Sequence, residues 1–392
     1  MTPSARVQAA IEILDEVIAS TRDDGPPADA IVTRYFKTRR YAGSKDRRAV
    51  RELVFRAIRR SGERPRSGRS AMLGLADEDA QLLDLFDGSP HGPEVREPAE
   101  DVAPALPVPE WIVPALSPHV GADEWPALLE RAPLDLRVNL TRASRDELLD
   151  QFTGAEQTRH SPSGLRLPPD TRMDDHPAFA GGLVEVQDEG SQLIALACQP
   201  QDGMRILDLC AGAGGKSLAL AAAAPRAEII ASDTNRARLM QLSPRAERAG
   251  ANIAIRLLDG GRETAQLAEL SGECDIVLVD APCSGSGTWR RNPEGRWRLT
   301  PERLGRLVNL QERLLDIAAP LVRPGGALVY ATCSIIRAEG ADQARNFLGR
   351  HSSWIVQVAP FVGGRGGGPG RLLTPAHDAT DGFFVARFAK PC

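Results

Sequence analysis

The chain has no stretch approaching the roughly 18 apolar, charge-free residues of a membrane span. Its opening, MTPSARVQAAIEILDEVIAS, is amphipathic and lacks the apolar core of a secretory leader. A cytoplasmic protein with no membrane partner is therefore expected. Cysteine is scarce, with six in 392 residues: Cys198, Cys210, Cys274, Cys283, Cys333 and Cys392. That density excludes a disulfide scaffold, and the absence of a CxxC pair argues against structural zinc. His377 and the five other histidines show no ligand spacing, so no metal is expected. Hydrophobic residues at 42% and charged residues at 26% exclude fibre, collagen and wholesale disorder.

What is present suits a globular protein of two or three domains, at roughly 150 residues per domain. The net charge of -4 hides an asymmetry. Residues 1–70 carry 16 Lys and Arg against 9 Asp and Glu, whereas residues 71–100 carry one Arg against 8 acids. The basic end is the candidate polyanion face, with Arg39, Arg40, Lys45, Arg47, Arg48 and Arg51 crowded together. As a solvated face the same cluster would need no partner, and charge alone does not decide.

Val7, Ala10, Ile11, Leu14, Val17 and Ile18 recur at helical spacing, as do Val50, Leu53, Val54, Ala57 and Ile58. Residues 1–90 therefore read as a helical domain. The Pro-, Gly- and acid-rich residues 91–109 read as a linker. Residues 110–175 suggest a small α+β module, in which LDLRVNL is a strand and Thr141 or Ser144 caps a following helix. From residue 176 to 392, strand runs such as RILDLC, AEIIAS, NIAIRLL, CDIVLVD and GALVYAT alternate with helical segments. The expected fold class is α/β, a mostly parallel sheet covered by helices.

The first of those strands runs into LDLCAGAGGKS, a glycine loop at the ligand edge of a doubly wound sheet. Gly212, Gly214 and Gly215 allow backbone to approach a ligand, and the helix behind them favours an anionic group. A phosphate-binding P-loop is disfavoured because Cys210 stands where its first glycine belongs. A dinucleotide fingerprint fails too, since Lys216 and Ser217 occupy the place of its third glycine. Asp233 lies about 20 residues on, the spacing at which an acid reaches ribose hydroxyls, and Asp259 ends the third strand near an adenine edge. Adenosine is the natural occupant.

The fourth strand ends in Asp280-Ala281-Pro282-Cys283-Ser284-Gly285 and the fifth in Thr332-Cys333-Ser334. Adjacent strands would bring both cysteines to one site. A pyrimidine C5 is too poor a nucleophile to take a methyl group unaided, but a thiolate added at C6 makes it enamine-like. One cysteine would start that reaction, and the other could assist release as a base. The residues by themselves do not say which does which.

DAPCSGSG followed by ATCS, behind LDLCAGAGGKS, resembles the RNA cytosine-5 methyltransferase family of Fmu/Sun type. The likeness spans roughly residues 180–390, including VQDEGSQ and the closing DGFFVARF. DRRAVRELVFRAIRR resembles the NusB-like helical domain fused to one branch of that family, and APLDLRVN its intermediate segment. The resemblance implies a Rossmann-like methyltransferase domain preceded by an all-α NusB-like RNA-binding domain and a small α+β module. It implies S-adenosyl-L-methionine as cofactor, held by Cys210, Ala211, Gly212, Ala213, Gly214, Gly215, Lys216, Asp233, Arg238, Asp259 and Asp280. Cys333 would be the nucleophile and Cys283 the residue for release. Asp280 would hold the cytosine N3/N4 edge, and Lys216 would meet the cofactor's carboxylate or the target nucleotide.

Arg290, Arg291, Arg296 and Trp297, in a segment of four arginines and two tryptophans, are expected to contact RNA through phosphates and stacked bases. The leading partner is ribosomal RNA, bound by a monomer. A transfer RNA methylase and a noncatalytic RNA-binding or assembly factor on the same fold are the alternatives, with a nicotinamide oxidoreductase third.

Overall fold

The apolar stripes seen in the sequence line the inner faces of four helices, α1 (Pro3–Ser20), α2 (Ala28–Lys37), α3 (Ser44–Arg60) and α4 (Gly68–Ala76). Thr2 caps α1 by accepting the Ala5 N–H at 3.2 Å, and Pro3 sits in the first turn, where its missing donor is harmless. Val7, Leu14, Ile31, Val54, Ile58 and Met72 are fully buried between these helices. Each such side chain stabilises the fold by roughly 1.5–3 kcal/mol relative to an exposed one.

The computed structural model describes residues 1–22, 25–169 and 171–392. Two compact units emerge. The helical one comprises Met1–Ala115 together with Thr288–Thr300, and the other Leu116–Gly287 together with Pro301–Cys392. The expected linker differs from a free connection, because residues 91–109 pack along the helical unit. Ala103 N–H donates to the Ser70 carbonyl at 3.1 Å and Leu106 N–H to that of Arg60 at 3.0 Å. Arg69 holds the Glu100 carboxylate at 2.8 Å. The segment lacks regular structure yet satisfies its backbone on α3 and α4.

In the second unit, β1 (Leu134–Val138), β2 (Glu156–Gln157), β3 (Gly164–Leu167) and β4 (Val184–Val186) form an antiparallel sheet in the order β2-β3-β1-β4. The small module therefore runs beyond residue 175, since β4 pairs with β1 at Leu136↔Val186. Ser144 is the helix cap, in a reciprocal box with Glu147. Helix α5 (Glu189–Ala197) follows, and its residues tie the module to the larger sheet. The Asp135 carboxylate accepts two bonds from Arg166 at 2.8 Å and the Glu189 N–H at 3.0 Å.

The large sheet contains β5 (Arg205–Asp208), β6 (Glu228–Asp233), β7 (Ile253–Leu257), β8 (Cys274–Asp280), β9 (Val322–Thr332), β10 (Ile355–Gln357), β11 (Arg365–Gly366), β12 (Arg371–Leu373) and β13 (Phe383–Ala389). Its order is β11-β12-β13-β9-β8-β5-β6-β7, with β10 on β13. Strands β5 to β9 are parallel, and β13 is antiparallel to β9. Helices α6 (Gly215–Ala223), α7 (Leu242–Ala249) and α8 (Pro301–Ala318) cover it. The chain runs outward from β5 through β6 to β7, then returns to β8 and continues to β9. The order thus reverses between β5 and β8, which opens a crevice at their carboxyl ends.

Candidate active site

The glycine loop leaves β5 into that crevice. Gly212 and Gly214 take positive φ, 56° and 80°. A Cβ at Gly214 would collide with Leu242 of α7, and one at Gly212 with the guanidinium of Arg238. Only glycine suits either place. Asp233, at the end of β6, accepts the Gly212 N–H at 2.8 Å and the Asn235 N–H at 2.7 Å, so it shapes the loop directly. Arg245 of α7 holds the Ala213 carbonyl at 2.6 Å from the other side. Asp259 is exposed beyond β7, where Gln266 both donates to its carboxylate at 3.1 Å and accepts its N–H at 2.7 Å. The structure thus brings Cys210 to Gly215, Asp233 and Arg238 together, with Asp259 at the next strand end.

Lys216, at the start of α6, reaches Asp280 at 2.6 Å. Burial is the largest single influence and would depress its ammonium group, but the charge and hydrogen bond of Asp280 together with the charges of Cys333 and Asp208 outweigh it, and the net displacement is upward. Beneath them lies Asp208, fully buried, a residue the sequence reading passed over. Burial pushes its carboxyl up to about 7, against the pull of the Ser217 hydroxyl bonded to it at 2.7 Å. Its second oxygen has no hydrogen-bond partner. Cys210 is held well above the ordinary thiol range by burial and by the charges of Asp208, Asp233 and Asp280. It stays protonated and unreactive.

The two cysteines at the next strand ends meet. Cys283 and Cys333 approach with Sγ atoms 3.3 Å apart, at the carboxyl ends of the paired strands β8 and β9. The hydrogen bond with Cys333, then burial, then the negative charges of Cys333 and Glu339 hold the Cys283 thiol well above its usual range. Cys283 therefore keeps its proton while Cys333 faces it. Of the remaining cysteines, burial pushes Cys274 up to about 12 and Cys198 higher still. Among the described residues no His, Cys, Asp or Glu group is arranged to hold a metal ion, and no helix is long and apolar enough to cross a membrane.

The expected RNA contacts fare differently. Arg290, Arg296 and Trp297 are buried, the last two only 1% and 3% exposed. Trp297 joins the core of the helical unit and donates Nε1–H to the Ser61 carbonyl at 2.7 Å. Arg296 donates to the carbonyls of Ile58 at 2.6 Å and Arg59 at 3.2 Å, and also to that of Pro107. Ile58 and Arg59 lie in the last turn of α3, whose carbonyls lack the usual helical donors four residues on, although Ile58 also accepts the Ser61 N–H at 3.3 Å. Glu294 accepts the Ala28 N–H at 3.0 Å, at the opposite pole of α2. The segment thus supplies a pair of helix caps and a core tryptophan, and Arg296 and Arg298 spend their donors on carbonyl groups, the latter on those of Gly25 and Pro26. The one available sequence signal was indirect: Pro27, before α2, has no side chain able to cap it. Arg291 is half-buried and bonded within the protein.

Residues 195–389 match the family described as 16S rRNA methyltransferase RsmB/F. The ribosomal RNA small subunit methyltransferases B of Salmonella paratyphi B and Salmonella typhi are each 34% identical over 290 residues, 72% of this chain and 66% of theirs. The chain thus spans about two thirds of the length of these curated relatives. Among solved structures, PH0851 has a TM-score of 0.77 at 22% identity, covering 98% of this chain and 99% of that one. NSun6 from Pyrococcus horikoshii, solved with SFG, has a TM-score of 0.61 at 19% identity, covering 68% and 92%. These two likenesses concern the fold. With the glycine loop, the strand-end acids and the paired cysteines in one crevice, the chain belongs to the RsmB/F family of methyltransferases.

Proposed function

We propose that this chain is an S-adenosylmethionine-dependent RNA methyltransferase of the cytoplasm that methylates C5 of a cytosine in ribosomal RNA through a covalent link from Cys333 to C6. The observation that carries this reading is the 3.3 Å approach of Cys283 and Cys333 beside the glycine loop. The target class rests on the ribosomal RNA methyltransferases that the chain resembles. The residues fit the cofactor: two positive-φ glycines expose backbone, Asp233 and Asp259 offer acceptors to a nucleoside, and the crevice's surplus of carboxylates suits a cation. When bound, S-adenosylmethionine supplies an electrophilic methyl group on a sulfonium.

Cys283 shares its proton with Cys333 at rest, which orients the Cys333 sulfur for attack. The Cys333 thiolate adds to C6 of the cytosine while Asp280, steadied by Lys216, holds the N3/N4 edge. The electron pair gathered at C5 accepts the methyl group. Once the Cys333 sulfur is bonded to carbon, the largest influence holding the Cys283 proton is gone. Cys283 then loses that proton to solvent and takes the proton from C5. The C5–C6 double bond re-forms, and Cys333 departs as a thiolate. The base must be single-stranded or flipped outward to reach both sulfurs. Arg40, Lys45, Arg47 and Arg48 lie exposed in the helical unit beside Tyr41, itself 72% exposed, and offer charge and a stacking ring to RNA.

The test is Cys283→Ala incubated with S-adenosylmethionine and total cellular RNA, run on a denaturing gel, with sequencing of any RNA retained. A cofactor-dependent adduct that disappears when Cys333 is also replaced is the expected outcome, and the attached sequence identifies the target. Methylation by wild type with no adduct from Cys283→Ala would refute these cysteine roles.

A further inference from the structure

Behind the two thiols lies a carboxylate that the mechanism above does not use. Glu339, on the short 3-10 turn Arg337–Glu339, is fully buried. Its Oε1 accepts the Ser284 N–H at 2.8 Å and the Gln311 Nε2–H at 3.0 Å. Its Oε2 accepts the hydroxyls of Ser284 and, at 2.6 Å, Ser334. Ser284 directly follows Cys283, and Ser334 directly follows Cys333. One carboxylate therefore grips both cysteine loops, each one residue from its sulfur. Gln311 of α8 extends the grip by donating to the Pro282 carbonyl at 2.9 Å, and the Glu339 carbonyl accepts the Tyr330 hydroxyl at 2.6 Å.

We propose that Glu339 is a positioning residue that ties the Cys283 loop to the Cys333 loop and thereby sets the separation of the two thiols. A buried carboxylate is costly unless its acceptor sites are filled, and here four donors fill them. Replacing it by an apolar group would strand all four. A methylene less would leave it unable to reach both loops. Its charge also faces Cys283 and helps keep that thiol protonated until Cys333 is engaged. The other titratable groups around the pair are Cys333 itself, Tyr330, whose hydroxyl feels Cys283, and Lys216, which feels Cys333, with its partner Asp280. Both parts rest on the cysteine roles proposed above.

The measurement is the pH dependence of iodoacetamide labelling at Cys283 and Cys333, read by peptide mass spectrometry in wild type, Glu339→Gln and Glu339→Asp, with thermal unfolding run alongside. It needs no RNA. Glu339→Gln keeps the shape and removes the charge, and the labelling midpoint of Cys283 should fall by about one pH unit. A merely structural loosening would instead raise labelling equally at every pH. Glu339→Asp keeps the charge and loses the reach. Its midpoint should hold, while its covalent adduct with RNA should decay more slowly than that of wild type, by on the order of 10- to 100-fold. Should Glu339→Gln fail to fold, Ser334→Ala severs one loop from the carboxylate and should likewise slow adduct decay. An unchanged Cys283 midpoint in folded Glu339→Gln, or wild-type adduct decay in Glu339→Asp or Ser334→Ala, would overturn the proposal. Absence of any adduct from Cys283→Ala, with the labelling shift present, would count against the cysteine chemistry and leave the tie through Glu339 standing.

Discussion

Residues 39–51 and 289–298 are both rich in arginine, and each stretch has an aromatic in it or beside it, yet their fates are opposite. In the first, Arg40, Lys45, Arg47 and Arg48 are exposed around Tyr41. In the second, Arg296 and Trp297 are buried in the same helical unit, one capping α3 and the other filling the core. The difference lies in what each guanidinium meets. The exposed set lies on α3 and the loop before it, where Arg47 donates Nε–H to the Ala42 carbonyl at 2.9 Å and still stays exposed. Arg296 arrives at the carboxyl end of α3, where it adds donors to the Ile58 and Arg59 carbonyls, and burial, then the positive charge of Arg59, push its guanidinium down to about 9 without removing its charge near neutrality. Composition alone does not separate a nucleic-acid contact from a helix cap.

That contrast can be broken most sharply at Trp297. Trp297→Ala should destabilise the helical unit by about 3–5 kcal/mol, from the cavity and the orphaned Ser61 carbonyl, as read by denaturant unfolding. A drop in RNA affinity with unchanged stability would restore the segment as an RNA contact.

The same opposition of buried and exposed recurs among the strand-end acids. Asp208 is buried with its carboxyl pushed up to about 7, whereas Asp259 is exposed. Because the folded state of Asp208 binds its proton more tightly than the unfolded chain, stability is greatest below the unfolded value near 4 and falls as pH rises towards 7. Asp208→Asn should remove that fall, on the order of 2–4 kcal/mol, as read by denaturant unfolding across that pH range. Parallel profiles for wild type and Asp208→Asn would show that Asp208 is ionised in the fold.

The smallest effect is expected on the exposed side. Replacing Arg40, Lys45 and Arg48 together by Ala should leave unfolding within about 0.5 kcal/mol of wild type. RNA affinity should weaken about tenfold, and its salt dependence should flatten by up to about two ions. Unchanged affinity at low salt would mean that this face is only solvated.

Much of the sheet and its ligand loop was legible because those signals are local. The runs that became β5, β6, β8, the second half of β9 and β13 are largely apolar, as strands buried on both faces must be, whereas β7 at the sheet edge is partly exposed, and the glycines at 212 and 214 mark a turn that no other residue fits. The spacing of Val7, Leu14 and Ile18 announced α1 in the same way. The Pro-rich stretch was legible as lacking helix or strand, but not as packed, since its partners on Ser70 and Arg60 lie far back in the chain. Glu339 was invisible for a related reason. It follows Cys333 by six residues in an undistinguished turn, and its importance lies in reaching Ser284 across 55 positions.

The local order of residues thus determined the elements, the loop that leaves β5 and the two cysteines that close β8 and β9. Only the tertiary structure decided that those sulfurs stand 3.3 Å apart, that one buried carboxylate holds both loops, and that Arg296 bonds with carbonyls 237 and 238 residues away. Secondary structure answers to the periodicity of neighbouring side chains. Burial, protonation and hydrogen-bond partners answer to groups that only folding brings near.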